Sequence, residues 1–240
     1  IDSLREHMDS DAMGIAKSEL AGLESGSAVV LEDMHKLMNK VGDTDNRQAY
    51  LASEYDHIRE YLGLVFERYI DGVELVRSDG TRVSRKVNMF FNGHSEHNQI
   101  LSLDPFCRSQ KDGTVTGTLS KEIPIHVDSG DKIHHLDFKI WITPNAKDRG
   151  QDYDNRMDLA SRFSGISELQ GLYIYRNQRL IDFPGWKKIL KHDPHYTCLR
   201  WEVHYPSEID SRFQLDPSKR GIELPRELLD RFGKISRTQY

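Results

Sequence analysis

The sequence predicts an α+β fold, with helices packed on a mixed, mostly antiparallel sheet. Three observations predict it: a long stretch of helical periodicity, several paired apolar runs joined by tight turns, and no internal repeats. Residues 51–69 step by three and four, whereas 73–87, 122–143 and 171–181 contain runs of strand type. Because the helical and hairpin stretches are separate, an α+β layer architecture is favoured.

Composition and length exclude several classes of protein. The chain has 240 residues, a formal net charge of -5 and 30% charged side chains, which is typical of a soluble globular protein. No apolar run approaches the roughly 18 residues of a membrane-spanning helix, and the first residues do not resemble a signal peptide. Cys107 and Cys198 lie far apart, so we expect reduced thiols and a cytoplasmic location. Ile1 suggests a fragment or a processed chain.

The N-terminal third predicts mainly helix. A polar helix is expected within 2–24, followed by an apolar run of strand type at 28–31 and a helix at 32–40. The clearest helix comes next, because apolar residues recur there at alternating steps of three and four. We predict that this stripe faces the core; its members are Leu51, Tyr55, Ile58, Leu62, Val65 and Tyr69.

The remaining elements are read from turns and alternation. Asp79-Gly80 predicts a hairpin turn between two short strands. Strands are expected at 122–127, 134–143 and 199–205, and a short helix at 154–163. A second hairpin is expected over 171–181, turning at Arg176-Asn177-Gln178. Pro225 suits the first turn of a final helix.

Two kinds of catalytic centre were considered from residue types alone. His94 and His97 have HxxH spacing, but the residues around them are typical of a loop, so we predict no metal site. A carboxylate and a lysine on one strand face are typical of metal-dependent nucleases. Asp137 and Lys139 could form such a pair, with Asp104 or Glu122 as a further acid. Neither glycine-rich phosphate motif, GxxxxGK[ST] or GxGxxG, is present.

Residues 171–221 carry the most distinctive motifs. They read GLYIYRNQRLI, then Gly185-Trp186, then the strand 199–205, and finally Asp216-Pro-Ser-Lys219. This order resembles the second, transducer-type domain of GHKL ATPases, the superfamily of gyrase B, the ninety-kilodalton heat-shock chaperone and MutL. The nearest branches are the MORC-type and bacterial HSP90-like ATPases. Residues 26–37 and Asp104-Pro105-Phe106 are also similar, although Ser27 and His35 replace the family's Thr and Asp.

The resemblance implies a fold and a site. The fold would be the left-handed βαβ arrangement of a small-subunit ribosomal protein. Lys219 matches the family's loop lysine that reaches the γ-phosphate of ATP, with Ser218 beside it in the same loop. A flexible ammonium group suits this role, because it acts as a point-charge ligand for phosphate. Its contact with the γ-phosphate would stabilise phosphoryl transfer and sense hydrolysis.

The resemblance also implies that a part is missing. The family's ATPase domain has a helix-borne Glu and Asn and glycine-rich lid motifs, and these 240 residues contain none of them. We therefore expect 1–24 to be a linker or the last element of an upstream ATPase domain, 25–235 the transducer-type domain, and 236–240 a tail. The chain alone would be inactive and bind no cofactor, whereas the intact protein would use ATP and Mg²⁺.

Partners follow from the same resemblance and from charge. An upstream ATPase domain in cis and a homodimer are expected, and no membrane partner. Residues 211–240 carry 7 basic and 4 acidic side chains, a weak indication of a DNA or protein partner. Two alternatives stay open: a metal-dependent nuclease or phosphohydrolase using Asp104, Glu122, Asp137 and Lys139, and a nucleic-acid-binding module.

Overall fold

The computed structural model describes most of the chain. The described residues are 10–31, 47–76, 79–108, 118–129, 132–145, 147–148, 166–212, 214–215 and 222–239. The chain divides into two compact units, one formed by residues 1–56 and 89–99 and the other by residues 57–88 and 100–240.

The helices agree broadly with the predicted pattern. They are α1 (Ser10–Leu20), α2 (Arg47–Val65), α3 (Glu67–Asp71) and α4 (Arg226–Gln239). Phe66 separates α2 from α3, but its N–H still bonds to Leu62 O and its carbonyl accepts Ile70 N–H. The predicted helix over 51–69 is therefore confirmed as a nearly continuous helical stretch. The final helix begins directly after Pro225, also as predicted.

The predicted apolar stripe is only partly confirmed as the buried face: Leu51, Tyr55, Leu62 and Tyr69 are half-buried. Val65 is fully buried, but Ile58 is 36% exposed. Gly63 decides which side of the helix is covered, because its carbonyl accepts Leu103 N–H at 3.1 Å and a Cβ there would lie 2.5 Å from Leu101 O. This close backbone approach buries the turn around Gly63 rather than the whole stripe.

The strands occur mainly as hairpins. They are β1 (Val73–Val76), β2 (Arg82–Arg85), β3 (Thr118–Ser129), β4 (Lys132–Ile142), β5 (Gly171–Arg176), β6 (Arg179–Asp182), β7 (Leu199–Tyr205), β8 (Gln214–Leu215) and β9 (Ile222–Glu223). The β1–β2 and β5–β6 hairpins and the β7 strand confirm the sequence predictions. The β3 and β4 strands are confirmed as well, but both are longer than predicted.

Five of these strands form the main sheet, in the order β3-β4-β7-β5-β6. The β5–β7 pair is parallel, and the other neighbours are antiparallel. The fold is therefore α+β with a mixed, mostly antiparallel sheet, which confirms the predicted class. The two short pairs, β1–β2 and β8–β9, are separate antiparallel ladders.

Both faces of the main sheet are covered in the larger unit. On one face, Trp201 packs against Phe138 and against Phe232 of α4 in a cluster that includes Leu228. On the other face, Tyr173 and Tyr175 from β5 pack around the fully buried Phe106. The members of that second cluster are Leu64, Leu103, Phe106, Cys107, Leu169, Tyr173, Tyr175 and Leu180.

Three further predicted elements need correction or lie outside the described residues. The apolar run 28–31 is not a strand, because the described residues offer it no partner strand; Val29 is 83% and Leu31 67% exposed. The predicted helices at 32–40 and 154–163 lie outside the described residues.

Candidate functional site

The second face of the main sheet holds a group of charged and polar side chains that sequence reasoning missed. Strand alternation in β7 places Glu202 and His204 on this face, opposite the side of Trp201 and Val203. Side chains from α3, from the turn 104–108 and from β5 approach them. We call this group the acid–base cluster; it consists of Glu67, Arg68, Asp104, Arg108, Tyr175, Glu202 and His204.

Glu202 lies at the centre of the cluster and is 1% exposed. Three donors reach its carboxylate at 2.5 Å: Arg68 Nη2, Trp141 Nε1 and His204 Nε2. Burial opposes the charge, but the hydrogen bond from His204 and the charge of Arg68 hold the pKa of Glu202 well below its usual range. Glu202 is therefore ionised and fully paired.

His204 is neutral in this environment. Burial lowers the pKa of its imidazole, and the adjacent Arg68 guanidinium lowers it further, although the bond to Glu202 acts in the opposite sense. The ring stacks on Tyr175 with centroids 4.9 Å apart. A neutral His204 can donate its Nε2–H to Glu202, so the hydrogen bond between these two residues does not require a charged imidazolium.

Glu67, the first residue of α3, is as buried as Glu202. Its carboxylate accepts Tyr175 Oη–H at 2.9 Å, lies 3.3 Å from Arg68 Nε and is bonded by Arg108 Nη2. Burial raises the pKa of Glu67 to about 7 despite the two guanidinium groups. The two buried glutamates thus differ, because the pKa of Glu67 is raised whereas that of Glu202 is lowered.

The turn 104–108 supplies the third carboxylate and a second guanidinium. Asp104 accepts Phe106 N–H at 3.0 Å and Arg108 N–H at 2.6 Å, which closes the turn. Cys107 has φ 51°, in the left-handed region, and this tight local geometry points Arg108 back to Asp104 and Glu67. Burial opposes the charge of Arg108, but the two carboxylates raise the pKa of its guanidinium above the usual value.

The cluster fixes α3 and the turn 104–108 to the sheet. Arg68 reaches Gln178 Oε1 in the β5–β6 turn at 2.8 Å, and the Tyr69 hydroxyl donates to Asn177 O at 2.8 Å. Asn177 and Gln178 have φ values of 47° and 67°, the left-handed conformation of a tight hairpin turn. The predicted turn is thus confirmed, and the Arg176 side chain is bonded to Asp210.

The predicted phosphate-contacting residues, Lys219 and Ser218, lie outside the described residues. The residues that flank them are described: Leu215 pairs with Ile222, and Gln214 with Glu223. Ile222 is buried, and its N–H bonds Asp182 Oδ2 at 2.9 Å. Leu215 and Ile222, the described residues on either side of 216–221, therefore lie next to each other, and Ile222 is attached to β6.

Asp182 has a second partner. Lys187 Nζ donates to its Oδ1 at 2.6 Å, so both carboxylate oxygens of this buried side chain are used. Lys187 and Lys188 both have positive φ, 49° and 67°, in a turn closed by Ile189 N–H to Trp186 O at 2.8 Å. The Asp182 contacts thus connect three segments: β6, the 186–189 turn and β9.

The residues of the predicted nuclease alternative are only partly brought together. Asp137 and Lys139 share one face of β4, as predicted, and Glu122 is the register partner of Lys139. Asp104 is instead engaged within its own turn by Arg108. Within the described part of the chain, no group of three or more His, Cys, Asp and Glu residues is arranged to hold a metal ion.

Sequence reasoning missed the acid–base cluster because alternation in β7 predicts a shared face but not its burial. Polar residues at 200, 202 and 204 are normally expected to face solvent. The one available signal was that Glu202 and His204 alternate with apolar residues inside a predicted strand. Their covering residues come from segments far away along the chain; Arg68, for example, is 134 positions from Glu202.

No helix in the described ranges has both the length and the apolar character that a membrane crossing requires. Searches against protein-family models, curated proteins and solved structures give no match for this chain.

Proposed function

We propose that this chain is a transducer-type coupling domain of a GHKL-type ATPase, in which Lys219 contacts the γ-phosphate of ATP. The ATP and its Mg²⁺ would be held by an upstream ATPase domain in cis, in the cytoplasm. The motifs at 171–221 are the basis of the proposal, and the anchored base of the 216–221 segment supports it best.

The contacts of β8 and β9, which flank the segment 216–221, support the proposal. A loop lysine that senses a phosphate needs a fixed attachment between its loop and the rest of the domain, so that a change at the phosphate is transmitted. The ladder of β8 with β9 and the bond from Ile222 to Asp182 provide such an attachment, because they connect the residues on either side of the segment to β6, the last strand in the order of the main sheet. The charge of the lysine would then compensate the negative charge on the transferring phosphoryl group.

The segments that carry the resemblance are also neighbours in space. The β5–β6 hairpin and β7 lie side by side in the main sheet, and Trp186 packs on Trp201 with ring centroids 5.4 Å apart. The acid–base cluster connects this part of the sheet to α3. A displacement at the segment 216–221 would thus be transmitted through β6 and the main sheet to α3, which suits a coupling role.

The test uses the protein expressed with the reading frame upstream of residue 1. Lys219→Ala should lower ATP turnover by about a hundredfold or more, the usual cost of removing one donor to the developing charge. Lys191→Ala is the matched control, because Lys191 is an exposed lysine of the same domain. Unchanged turnover in Lys219→Ala, with both variants folded, would overturn the assignment of the lysine.

The chain by itself should neither bind nor hydrolyse ATP. Calorimetric titration of the 240-residue chain with a non-hydrolysable ATP analogue and Mg²⁺ should give no heat of binding. In the longer protein, the same analogue should increase the dimer fraction measured by light scattering. ATP turnover by the isolated chain, abolished by a substitution within it, would contradict the coupling role.

A metal-dependent nuclease or phosphohydrolase is the second candidate, favoured by the register that puts Glu122 opposite Lys139 beside Asp137. Incubation of the chain with supercoiled DNA and Mg²⁺ or Mn²⁺ separates the two proposals. Cleavage that disappears in Asp137→Asn and Lys139→Ala would favour the nuclease. We expect no cleavage. A DNA-binding role would instead show as affinity that falls steeply with salt.

A further inference from the structure

Arg200, the second residue of β7, is a fully buried cation on the second face of the main sheet, two residues before Glu202. Its Nη1 donates to Thr197 O at 2.6 Å and to Leu199 O at 2.9 Å. Its Nε and Nη2 are buried as well, but no acceptor in the described part of the chain reaches either atom. Buried donors are normally hydrogen-bonded, because removing them from water without a partner is costly. These two nitrogens therefore require an acceptor.

The two unused donors form a single binding edge. In a guanidinium group the Nε–H and Nη2–H bonds lie side by side and point in the same direction, on the side opposite Nη1. This parallel pair matches the two oxygens of a carboxylate or phosphate group, which arginine binds bidentately. One water oxygen could accept both hydrogens only through bent hydrogen bonds, which are weaker, and it would bring no negative charge. The edge is therefore complementary to an oxyanion.

Other charged side chains on this face have partners or contact solvent. Glu202 accepts three hydrogen bonds, and Glu67 and Asp104 are both bound by Arg108. Asp137, the register partner of a β7 residue on this face, is exposed, and the nearby Lys139 is a further cation. Among the described residues, the acceptor that Nε and Nη2 require is therefore not supplied by the acid–base cluster.

The strand neighbours of Arg200 are neutral. The register places Trp141 of β4 and Gly171 of β5 beside it, and the Tyr173 hydroxyl donates to Leu169 O at 2.7 Å. Burial raises the pKa of Tyr173 to about 12, whereas the charge and hydrogen bonding of Arg200 act in the opposite sense, so this hydroxyl lies close to the guanidinium. It accepts no hydrogen bond from Nε or Nη2. These neighbours thus bring no negative charge that would compete with an oxyanion.

We propose that the Nε–Nη2 edge of Arg200 is a buried binding site for one oxyanion, a carboxylate or a phosphate group held by both donors. The site is separate from the proposed contact of Lys219 with ATP and does not depend on that function. Because the guanidinium is enclosed, the anion enters as the chain folds or opens locally, and it exchanges slowly with solvent. The folded chain binds the anion and the unfolded chain does not, so the anion stabilises the fold.

Urea unfolding of the 240-residue chain at increasing concentrations of inorganic phosphate tests the site, with chloride keeping the ionic strength constant. Above the dissociation constant, each tenfold increase in free phosphate should raise the folding equilibrium constant by about tenfold. Acetate replaces phosphate in a parallel series and shows whether a carboxylate fits better. A dependence on either anion supports the site, because both present two oxygens to the edge.

Arg200→Lys is the decisive variant, since lysine keeps the charge but lacks the parallel pair of N–H donors. Its response should need at least about tenfold more anion, the effect of one lost hydrogen bond to a charged group. Arg226→Lys is the control, because Arg226 is exposed at the start of α4 and should respond like the wild type. Phosphate also stabilises proteins by exclusion from their surface, and that effect is common to all three chains. Equal responses of the wild type and Arg200→Lys would overturn the proposal.

Retention of the anion keeps the proposal testable if Arg200→Lys fails to fold. The wild-type chain is refolded in phosphate or in acetate, desalted and then denatured, and the released anion is measured by ion chromatography. About one anion per chain is expected from at least one of the two preparations. Release of neither anion would show that water satisfies Nε and Nη2 and that the oxyanion site does not exist.

Discussion

Gly171 and Gly185 are in direct backbone contact, and this contact fixes the hairpin β5–β6 against the loop that follows it. A Cβ atom on Gly171 would lie 2.2 Å from the Gly185 nitrogen, and Leu172 N–H bonds Gly185 O at 3.0 Å. Gly171 has φ 142°, in the region that only glycine adopts readily. The loop can thus return across the first residue of an interior strand.

Gly171→Ala should therefore lower the free energy of unfolding by more than about 3 kcal/mol, because backbone strain and a backbone clash act together. Gly233→Ala is the matched control, since Gly233 lies within α4 and a Cβ there meets nothing within 4 Å. The control should be stabilised by about 0.5–1 kcal/mol. Urea unfolding monitored by tryptophan fluorescence measures both, and equal stabilities would contradict the close contact.

Glu202→Ala should be among the most destabilising single changes, at about 3–5 kcal/mol, because it removes the buried carboxylate that pairs Arg68 Nη2, Trp141 Nε1 and His204 Nε2. The exposed pair of Glu227 with Arg231 at 2.9 Å provides the control, and Glu227→Ala should cost less than about 1 kcal/mol. Adding Arg68→Ala to Glu202→Ala should cost about 1–3 kcal/mol less than the sum of the single changes. Strict additivity in a double-mutant cycle would mean that the two side chains act independently.

Asp182 is expected to tolerate amide substitution better than truncation. Asp182→Asn keeps an oxygen that accepts the Ile222 N–H, whereas Asp182→Ala leaves this buried N–H without a partner, at about 1–3 kcal/mol. Lys187→Ala serves as the control, because it removes the other contact of the same carboxylate. Hydrogen exchange at the Ile222 amide should accelerate most in Asp182→Ala. Equal exchange in the alanine and asparagine variants would show that the anchor is unimportant.

His204 should make the stability of the folded chain sensitive to acid. Its pKa in the folded chain is lowered by burial, so below its ordinary value of 6.5 the unfolded chain binds a proton that the folded chain does not. Stability is therefore lost as pH falls through this range. His204→Gln should lose less stability on acidification, whereas His195→Gln, at a residue whose side chain is 90% exposed, should behave as the wild type. Identical acid profiles for all three would exclude the effect.

The hairpins show how much of the fold follows from local sequence. Asp79-Gly80 and Asn177-Gln178 mark the two turns, and alternation in 199–205 gives the limits of β7 as the structure has them. These features depend on neighbours along the chain, so sequence alone is sufficient. The apolar stripe of 51–69 predicted the buried face of the helix only in part. The side of the helix that is covered depends on where Gly63 meets the segment 100–103.

In the candidate site, too, one part could be predicted from the sequence and another part could not. The motif around Lys219 was recognisable from sequence, and its role stays a prediction. The acid–base cluster was not recognisable, since its members come from four segments that only the folded chain brings together. By itself, the sequence determined which residues of β7 share a face, because strand geometry alternates side chains strictly. Only the tertiary structure decided that Glu202 and His204 are buried there, because burial depends on what covers a face, and here α3 and the turn 104–108 supply both the cover and the counter-charges.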